Sequence, residues 1–490
     1  GTETTMESVS LITVLVFATD LLIRVGLSVR VIMRCRPVGI SLAWLMIILI
    51  FPFGGAVIYL TLGESRLGRR RAEQIARVHE PYLQWLAELE TRPDIHWSLL
   101  GPECKSLARL AATSIGIPPL SGNCIELIDE TDEVLYRIIA DVDAAQQTCH
   151  MVFYIWNNGG LPDDVSEALI RAAQRGVICR ILVDDVGSAP FLRSDRAARM
   201  RDAGVRLCSA LPVGLIRSLF VRFDLRMHRK MVVIDGRVGY TGSLNMVDPR
   251  YFKHNAGVGQ WVDAMVRVQG PVVEAMAVTF LEDWELDTEE ELDQLRVSGD
   301  VNRLEQVGTA AAQLVPSGPI TESHTIQQVL LTAIYAARRE LILTSPYFVP
   351  DELLLTALVS AASRGVDVTL IVPARVDSLL VRYASQAHKI DLLEAGVKVA
   401  LFEGGLLHTK SIAVDGEFSF FGTLNLDPRS LWLNFEITLL VYDQAFTCRL
   451  RDLQQRYIRD SRFMDLETWR RRPARERLIV NTARLLSPLI

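Results

Sequence analysis

The sequence HTKSIAVD at residues 408–415 places an imidazole, an ammonium and a carboxylate in a run that otherwise has the composition of a buried β-strand. It is followed by GTLN at residues 422–425. An earlier run, HRKMVVID at residues 228–235, repeats the pattern and is followed by GSLN at residues 242–245. Equivalent positions in the two runs are always 180 residues apart (408 − 228 and 425 − 245). Two copies of a compound motif at one offset predict a duplicated domain, with one motif from each half at the functional site.

Strand and helix patterns recur in the same order around the two motifs. In each half an apolar strand is followed by an amphipathic helix, a glycine that ends the helix, and a second apolar strand. The predicted elements are 150–156, 165–174 and 178–183 in the first half, and 341–344, 353–363 and 368–372 in the second. Strand, helix and strand in succession are typical of βαβ units. The sequence therefore predicts an α/β fold in two similar halves, with mixed or parallel sheets flanked by helices.

The N-terminal region has the composition of a membrane anchor. Residues 38–62 form a run of 25 residues without a charge, and a helix needs about 20 such residues to span a bilayer core. Residues 9–33 are also apolar but contain Asp20 and Arg24, whose spacing would let them pair on one helix face. We expect an N-terminal transmembrane helical hairpin that turns at residues 34–37. The first apolar run would also suit an interfacial helix, so whether it crosses fully is left open.

Arginines beside the two apolar runs indicate the orientation of this hairpin. Four follow the second run and three lie at the turn or just before it, namely Arg66, Arg69, Arg70 and Arg71, and Arg30, Arg34 and Arg36. Positive residues favour the cytoplasmic side of a membrane. The small excess predicts that the large C-terminal part faces the cytoplasm. The seven cysteines include no C-x-x-C pair, and we interpret them as reduced thiols on that side.

The domain plan that follows from these patterns has five parts. They are a membrane hairpin (6–63), a helical connector (64–120), a first domain (121–285), a linker (286–320) and a second domain (321–490). The acidic run 282–305 favours a solvated linker between the halves. An insertion in the first half contains a basic amphipathic stretch at 215–223, which suits either an anionic membrane surface or the protein core. The basic tail at 470–486 poses the same choice.

Charge and chemistry point to a phosphodiester substrate without a metal. The net charge of −6 excludes a general polyanion binder, so any anion site must be a local concentration of basic groups. Lysines beside the histidines disfavour a bound cation, and the spacing of a zinc or two-metal site is missing. Two imidazoles and two ammonium groups can instead attack phosphorus, protonate a leaving alkoxide and neutralise phosphate oxygens. We therefore predict no metal and no cofactor.

The pair of motifs resembles the phospholipase D superfamily, and other segments resemble its bacterial cardiolipin synthases. These segments are MVFYIW at 151–156, MVDPRYF at 246–252, SPYFVP at 345–350 and WLNFE at 432–436, together with the N-terminal apolar hairpin. The resemblance implies duplicated phospholipase D-like domains in a multi-pass protein of the bacterial inner membrane. It implies transfer of a phosphatidyl group between two phosphatidylglycerols, giving cardiolipin and glycerol through a phosphohistidine. The expected partners are phosphatidylglycerol and an anionic membrane surface, with no nucleic acid, and a homo-oligomer is left open.

The resemblance also assigns roles to individual residues. The motif residues, counted together as catalytic, are His228, Lys230, Asp235, His408, Lys410 and Asp415, although the two aspartates resemble the structural aspartates of the superfamily. The residues expected to bind the substrate phosphate are Asn245, Asn425, Ser243 and Thr423. A carboxylate orients each histidine: Glu436 is expected to hold His408 and Asp263 to hold His228. The sequence itself leaves open which histidine is the nucleophile, and the resemblance favours His228.

Four other functions remain to be weighed against a membrane lipid transferase. A nuclease of the same fold would need broad basic and aromatic surfaces, which the net charge and the membrane hairpin disfavour. A lipid hydrolase would differ only in using water as the acceptor, which depends on the shape of the pocket. A phosphatidylserine-type synthase would need a nucleotide-lipid site, for which no motif is present. Two intact motifs disfavour a scaffold without activity.

Overall fold

Fifteen strands join the two halves of the chain into one sheet in the computed structural model. The structure describes residues 2–34, 38–63, 69–87, 95–212, 224–253, 256–288, 290, 301–319, 325–377 and 379–486. The strands of the first half are β1 Leu120–Ile128, β2 Thr148–Phe153, β3 Ile178–Asp184, β4 Arg206–Ala210, β5 Met231–Ile234, β6 Val238–Gly242, β7 Trp261–Val262 and β8 Met265–Gln269. Those of the second half are β9 Ala310–Ser317, β10 Glu340–Thr344, β11 Asp367–Pro373, β12 Lys398–Phe402, β13 Leu406–Leu407, β14 Ser411–Val414, β15 Phe418–Gly422, β16 Glu436–Tyr442 and β17 Ser461–Phe463.

Helices precede, flank and connect these strands. Those before the sheet are α1 Thr2–Met33, α2 Val38–Ile50, α3 Gly54–Leu62, α4 Arg69–Ala87 and α5 Pro102–Ile115. Those of the first half are α6 Thr131–Ala144, α7 Leu161–Gln174, α8 Ala189–Leu192, α9 Asp195–Asp202 and α10 Val272–Asp287. Those of the second half are α11 Thr325–Ala336, α12 Glu352–Ser363, α13 Leu379–Glu394, α14 Pro428–Trp432, α15 Gln444–Arg459, α16 Leu466–Arg470 and α17 Ala474–Leu486.

The sheet has the mixed topology that the sequence predicts. Its order is β17-β12-β11-β10-β14-β15-β16-β9-β1-β8-β6-β5-β2-β3-β4. The neighbours β2-β3-β4 and β10-β11-β12 are parallel, as expected for βαβ units, and the strands that carry the motifs pair antiparallel to them. The two halves meet where β1 pairs with β9. Going outward from this pair, the order β1-β8-β6-β5-β2-β3-β4 in the first half corresponds to β9-β16-β15-β14-β10-β11-β12 in the second. The duplicated fold is confirmed, but the halves share a single sheet.

The strand β9 corrects the predicted linker at 286–320. Ala310–Ser317 pairs with β16 over seven residues and with β1 at Leu120↔Ala312, so it lies at the centre of the sheet. The acidic run predicted as linker also begins inside α10, which continues to Asp287. The prediction missed β9 because three alanines and a glutamine have low β-propensity. Gln313 is buried, however, and its Nε2 donates to the carbonyls of Ala108 and Ile117 at 3.1 and 2.8 Å.

The topology brings the chemistry of both motifs to one edge. Each motif strand, β5 or β14, begins directly after its lysine and runs antiparallel to β2 or β10. Its first residue therefore lies at the carboxyl end of the neighbouring parallel strand, the edge at which open α/β sheets bind ligands. The hairpin back through β6 or β15 returns the GSLN or GTLN motif to this edge. The histidines, lysines and asparagines are thus positioned by the same two hairpins.

The uninterrupted 25-residue span predicted for residues 38–62 is wrong. The run is divided into α2, of 13 residues, and α3, of nine, by a sharp turn at Phe51–Phe53. Pro52 cannot donate a backbone hydrogen bond, and Phe53 has a φ of 47°. Within the described residues, the helix that is long and apolar enough to cross a membrane is Ile12–Met33.

Four other predictions concern segments that the sequence connects with a membrane. Asp20 and Arg24 do pair, with 2.6 Å between Nη2 and Oδ2. The predicted turn at 34–37 lies outside the described residues beyond Arg34, and the basic stretch at 215–223 lies wholly outside them. The basic tail is helical in α16 and α17.

Candidate active site

Each motif histidine is attached through its backbone to the opposite half of the chain. The N–H of His228 donates to the carbonyl of Phe435 at 2.9 Å, and the N–H of His408 donates to the carbonyl of Val262 at 2.8 Å. Beside the second bond, β13 pairs with β7 in parallel. Both histidines are buried at this boundary between the halves. The site is therefore built from two loops of each half, and neither half contains a complete set.

Asp263 and Glu436 each hold a histidine across the boundary. Nδ1 of His228 lies 2.8 Å from Oε2 of Glu436, and Nδ1 of His408 lies 2.7 Å from Oδ1 of Asp263. Both residues were predicted as orienting carboxylates, but the predicted pairing within each half is wrong. The reason is the pair of cross-boundary backbone bonds, which places the residue after Phe435 beside His228 and the residue after Val262 beside His408.

Each of the two lysines makes one hydrogen bond among the described residues, to the backbone of the histidine that precedes it in the motif. Nζ of Lys230 donates to the carbonyl of His228 at 2.7 Å, and Nζ of Lys410 donates to the carbonyl of His408 at 2.5 Å. An ammonium has three donors, so each lysine keeps two for a phosphate oxygen. Each lysine also lowers the pKa of the opposite histidine, which indicates that all four groups share one site.

Burial is the main influence on the protonation states of the four basic groups. It lowers the pKa of each histidine to about 4, against the raising effect of its carboxylate. It lowers the pKa of Lys230 to about 8, and burial together with Lys230 lowers that of Lys410 well below its usual value. Burial alone would raise the carboxylate pKa values, but the histidines and lysines outweigh it and lower both. Each ionised carboxylate accepts a hydrogen bond from the Nδ1–H of its histidine, so each neutral imidazole presents the lone pair of Nε2.

Ser243 and Thr423 support the carboxylates instead of contacting a phosphate. The hydroxyl of Ser243 donates to Oδ1 of Asp263 at 2.6 Å, and that of Thr423 donates to Oε2 of Glu436 at 2.5 Å. Both hydroxyls are fully buried. Their predicted role in phosphate binding is corrected, because a hydroxyl has one proton and here it is committed to a carboxylate.

The asparagines remain candidates for phosphate binding. Oδ1 of Asn245 accepts from the N–H of Ile155 at 3.1 Å, which fixes the amide and leaves its NH₂ group for a ligand. Oδ1 of Asn425 is buried without a hydrogen-bond partner among the described residues. The two amides are equivalent in the repeat but differ in how firmly they are held.

Asp235 and Asp415 lie at the far end of the motif strands and have a structural role. Asp235 accepts from the backbone N–H groups of residues 146–148 at 2.7–3.2 Å, and Asp415 accepts from those of residues 338–340 at 2.7–2.9 Å. Four strand residues lie between each aspartate and its lysine, and the five steps along the strand span about 16 Å at the rise of a β-strand. Counting them as catalytic was wrong, and their likeness to structural aspartates agrees with these contacts.

Two aromatic residues that the sequence did not single out cover the histidines. The ring of Tyr154 lies 5.0 Å from that of His228 and 5.7 Å from Nζ of Lys230. The ring of Trp261 lies 4.4 Å from that of His408. Tyr154 belongs to the segment MVFYIW at 151–156, and Trp261 begins the short strand β7 two residues before Asp263. No spacing rule connected either ring to the histidine that it covers.

The two carboxylates differ in how many donors they accept. Besides His228 and Thr423, Glu436 accepts from the hydroxyl of Ser430 at 2.7 Å and the amide of Asn434 at 3.3 Å. Oδ2 of Asp263 has no partner among the described residues. The negative charge of Asp263 is therefore less compensated, so it can stabilise a positive imidazole more strongly. The repeat is symmetric in its motifs and asymmetric in this electrostatic detail.

Known families and structures show similarity over nearly the whole chain. The family described as "Cardiolipin synthase, PLD-like domain" matches residues 138–284 and 330–458, and the family "Phospholipase_D-nuclease N-terminal" matches residues 23–64. The chain is 46% identical to cardiolipin synthase A of Klebsiella pneumoniae over 95% of its length and 96% of that protein. It is 46% identical to cardiolipin synthase A of Erwinia tasmaniensis over 97% of its length and 98% of that protein.

A solved structure shares the fold at much lower sequence identity. The phosphatidylserine synthase of Haemophilus influenzae superimposes on 79% of this chain and on all of its own, with a TM-score of 0.58 and 16% identity. At this identity the similarity shows the fold alone.

The crossed pairing can be tested through the ring protons of the histidines. We expect Glu436→Gln to shift the Nδ1–H resonance of His228 alone, and Asp263→Asn to shift that of His408 alone. Both variants should also lower kcat strongly, by about 10⁴-fold if they behave like the loss of the orienting carboxylate in a Ser-His-Asp triad. The measurement is NMR of enzyme labelled with ¹⁵N-histidine, with His228→Gln and His408→Gln as assignment controls. A shift of the His408 resonance in Glu436→Gln would contradict the pairing.

If Asp235 and Asp415 have a structural role, substituting either one should lower the stability of the protein and leave the kcat of the folded enzyme unchanged. Asp235→Ala removes the acceptor of three backbone N–H groups and places alanine at a φ of 52°, so it should cost about 2–3 kcal/mol. Asp235→Asn keeps one acceptor and tolerates this backbone conformation, so it should cost less. Asp415→Ala and Asp415→Asn form the matched pair in the second half. Thermal unfolding in detergent checks stability, and a fall in kcat of correctly folded enzyme would show that an aspartate takes part in the reaction.

Proposed function

The chain belongs to the cardiolipin synthase family of phospholipase D-like proteins, and from this premise we propose that it transfers a phosphatidyl group between two phosphatidylglycerol molecules. The products are cardiolipin and glycerol, and the covalent intermediate is a phosphohistidine. A phospholipid phosphatidyltransferase activity fits the whole chain, because its relatives match it from end to end. The observation that carries the proposal is the pair of crossed imidazole–carboxylate contacts with two lysines in one buried site.

In the first step Nε2 of His228 attacks the phosphorus of the first phosphatidylglycerol. The bond from phosphorus to the headgroup glycerol oxygen breaks, and His408 gives that oxygen its proton, so glycerol leaves. The bound phosphodiester adds a negative charge to the site, which raises the pKa of His408 from its low value in the empty site and lets it carry this proton. Lys230, Lys410 and the two asparagines neutralise the phosphate oxygens as charge moves onto them.

In the second step a headgroup hydroxyl of another phosphatidylglycerol attacks the phosphohistidine. His408 now accepts the proton of that hydroxyl, the bond from phosphorus to Nε2 breaks, and cardiolipin is released. Proton transfer by a placed imidazole contributes roughly 10²–10⁴-fold to such a rate. Water in place of the second lipid would give phosphatidic acid by the same chemistry.

The asymmetry of the site supports His408 as the proton carrier and His228 as the nucleophile. The proton carrier must become an imidazolium ion, and Asp263 has fewer competing donors than Glu436. The ring of Trp261 against His408 adds a π-face that favours a cation. His228 is instead held by Glu436, which accepts hydrogen bonds from more donors than Asp263 does. Glu436 is therefore better suited to orienting a neutral imidazole than to stabilising an imidazolium ion.

We propose that the enzyme works at the bacterial inner membrane with its catalytic domain on the cytoplasmic side. An apolar N-terminal helix and its cardiolipin synthase relatives support a membrane location. Arginines near the apolar segments and the reduced cysteines support the cytoplasmic side. An anionic leaflet supplies both substrate molecules, and a homo-oligomer is compatible with this arrangement.

A product assay tests the reaction as a whole. Purified enzyme in vesicles of phosphatidylglycerol as the sole lipid, with EDTA and without nucleotide, should form cardiolipin and glycerol in equal amounts by mass spectrometry. His228→Ala and His408→Ala should each abolish turnover, while Asp235→Asn serves as an active control. Phosphatidic acid as the main product would show a hydrolase instead. Turnover only after a metal is restored would exclude the metal-free mechanism.

Trapping the intermediate tests the assignment of the two histidines. Rapid alkaline quenching of wild-type enzyme during turnover should leave the phosphatidyl adduct on His228, because a phosphohistidine survives base. Peptide mass spectrometry locates the adduct, and His228→Gln should carry none. An adduct found on His408 would reverse the two roles and leave the overall reaction unchanged.

A further inference from the structure

The second apolar segment folds back on itself instead of running straight. Trp44 of α2 and Tyr59 of α3 are 15 positions apart, and one continuous helix would separate them by about 22 Å. Their rings instead meet edge to face with centroids 5.5 Å apart. Gly55 lies against the carbonyl of Ile47 so closely that a Cβ at Gly55 would be 2.3 Å from that oxygen. The helix α3 therefore returns along α2, and the small glycine permits the close approach.

The first two helices form the antiparallel part of the same bundle. Nη1 of Arg24 donates to the carbonyl of Leu49 at 2.5 Å, and the N–H of Phe53 donates to Oδ1 of Asp20 at 2.9 Å. At the other end of α2, Val31 of α1 packs in one apolar cluster with Trp44 and Tyr59. The end of α3 thus returns to the level of the last turns of α1, from which α2 started.

The lengths of the helices show which of them is long enough to cross the membrane and which are too short. The apolar part of α1, Ile12–Met33, has 22 residues, or about 33 Å of helix, which matches a hydrocarbon core of about 30 Å. With 13 and nine residues, α2 and α3 reach only about 20 and 14 Å. Each is too short to cross, and together they enter and return.

The fold of the three helices explains why the charged residues Asp20 and Arg24 occur in the apolar helix α1. A helix break inside hydrocarbon leaves backbone groups that water cannot reach, and each one costs several kcal/mol unless it is bonded. The turn at Phe51–Phe53 is met by Asp20 and Arg24, which are 2.6 Å apart. Asp20 accepts from the N–H of Phe53 and Arg24 donates to the carbonyl of Leu49. The pair neutralises its own charge and satisfies the backbone of the turn.

We propose that α1 crosses the membrane once and that α2 and α3 form a re-entrant hairpin in the leaflet next to the catalytic domain. The connection at 34–37 and the catalytic domain then lie on one side, and the N-terminus lies on the other. Two complete crossings, which the sequence predicts, would put that connection opposite the catalytic domain. The inference depends on the N-terminal helices and not on which reaction the enzyme performs.

The distribution of charge fits the re-entrant arrangement better than two crossings. In the re-entrant arrangement all seven arginines beside the apolar segments would lie on the side of the catalytic domain, namely Arg30, Arg34, Arg36, Arg66, Arg69, Arg70 and Arg71. The sequence before Ile12 holds Glu3 and Glu7 and neither lysine nor arginine. Two crossings would divide the arginines into three and four. The rule that positive residues stay on the cytoplasmic side therefore gives a clear orientation for one crossing only.

The outer faces of the three helices fit a lipid environment. Large apolar side chains on each helix are exposed, such as Leu22 at 73%, Met46 at 60% and Val57 at 61%. Within the bundle, Trp44 and Ile48 are buried by the neighbouring helices. The occupant of this outer surface is lipid acyl chain, from both leaflets around α1 and from one leaflet around the hairpin of α2 and α3, which would lie beside the lipids that the enzyme uses.

The native cysteines provide a direct test. Cys35 lies in the connection between α1 and α2, and Cys124 is exposed on the catalytic domain. We would restore each alone in a cysteine-free full-length chain, and make a third variant, Thr4→Cys, for the N-terminus. Each is treated with a membrane-impermeant maleimide in intact cells and in permeabilised cells, with the activity of each variant as the control for folding.

The proposal predicts that Cys35 behaves like Cys124 and that Thr4→Cys behaves oppositely to both. With the catalytic domain in the cytoplasm, labelling of Cys35 and Cys124 in intact cells is lost and appears after permeabilisation, while Thr4→Cys is labelled in intact cells. Labelling of Cys35 on the side opposite Cys124 would overturn the proposal in favour of two crossings. If Cys35 resists labelling under both conditions, Thr4→Cys decides, because finding it on the side of Cys124 also overturns the proposal.

Discussion

The active site depends on one constraint, which is that each catalytic imidazole is held by a carboxylate from the other half of the chain. Glu436 and His228 are 208 residues apart in sequence, and Asp263 and His408 are 145 apart. The two contacts form only when the halves are fixed against each other. The shared sheet provides this, because β1 and β9 join the halves through backbone hydrogen bonds at its centre. A duplicated fold that kept two separate sheets would leave each histidine with its ring free to rotate and its tautomer unspecified.

Duplication alone would give two equivalent histidines, yet the proposed reaction needs one nucleophile and one proton carrier. The chain breaks the equivalence in the residues around the motifs. Ser430 and Asn434 bond to Glu436, whereas one oxygen of Asp263 has no such partner among the described residues. Tyr154 covers one imidazole and Trp261 the other. Small differences in hydrogen bonding thus assign different tasks to groups that the repeat made alike, as pairs of titratable groups often require.

The sequence pointed to residues that the structure brings together, but it did not predict how they are connected. The duplicated motif and the parallel strands were recognised from local patterns, and the two orienting carboxylates were named from the family resemblance. The pairing of those carboxylates was wrong because a spacing along the chain carries no information about a contact across a symmetric boundary. Ser243 and Thr423 were assigned to the phosphate since a motif shows which residues recur and not which way a hydroxyl points. The strand β9 was missed because its place at the centre of the sheet comes from tertiary packing and not from β-propensity.

In the N-terminal segment, too, a local sequence pattern did not predict a tertiary contact. A count of uncharged residues treats 38–62 as one span, because hydropathy describes the polarity of a segment and not whether its helix turns back. Two features of the sequence nonetheless argue against a straight span, one in each apolar run. Pro52 marks a break, and Asp20 with Arg24 supplies the donor and acceptor that a break inside hydrocarbon requires. A charged pair in one apolar helix and a proline in the next are each tolerated alone, but together they indicate a turn that must be satisfied at membrane depth. On the proposed topology, the chain reaches the catalytic domain through α4 and α5 from a segment that lies within a single leaflet. That leaflet would supply the lipids for the proposed two-lipid reaction.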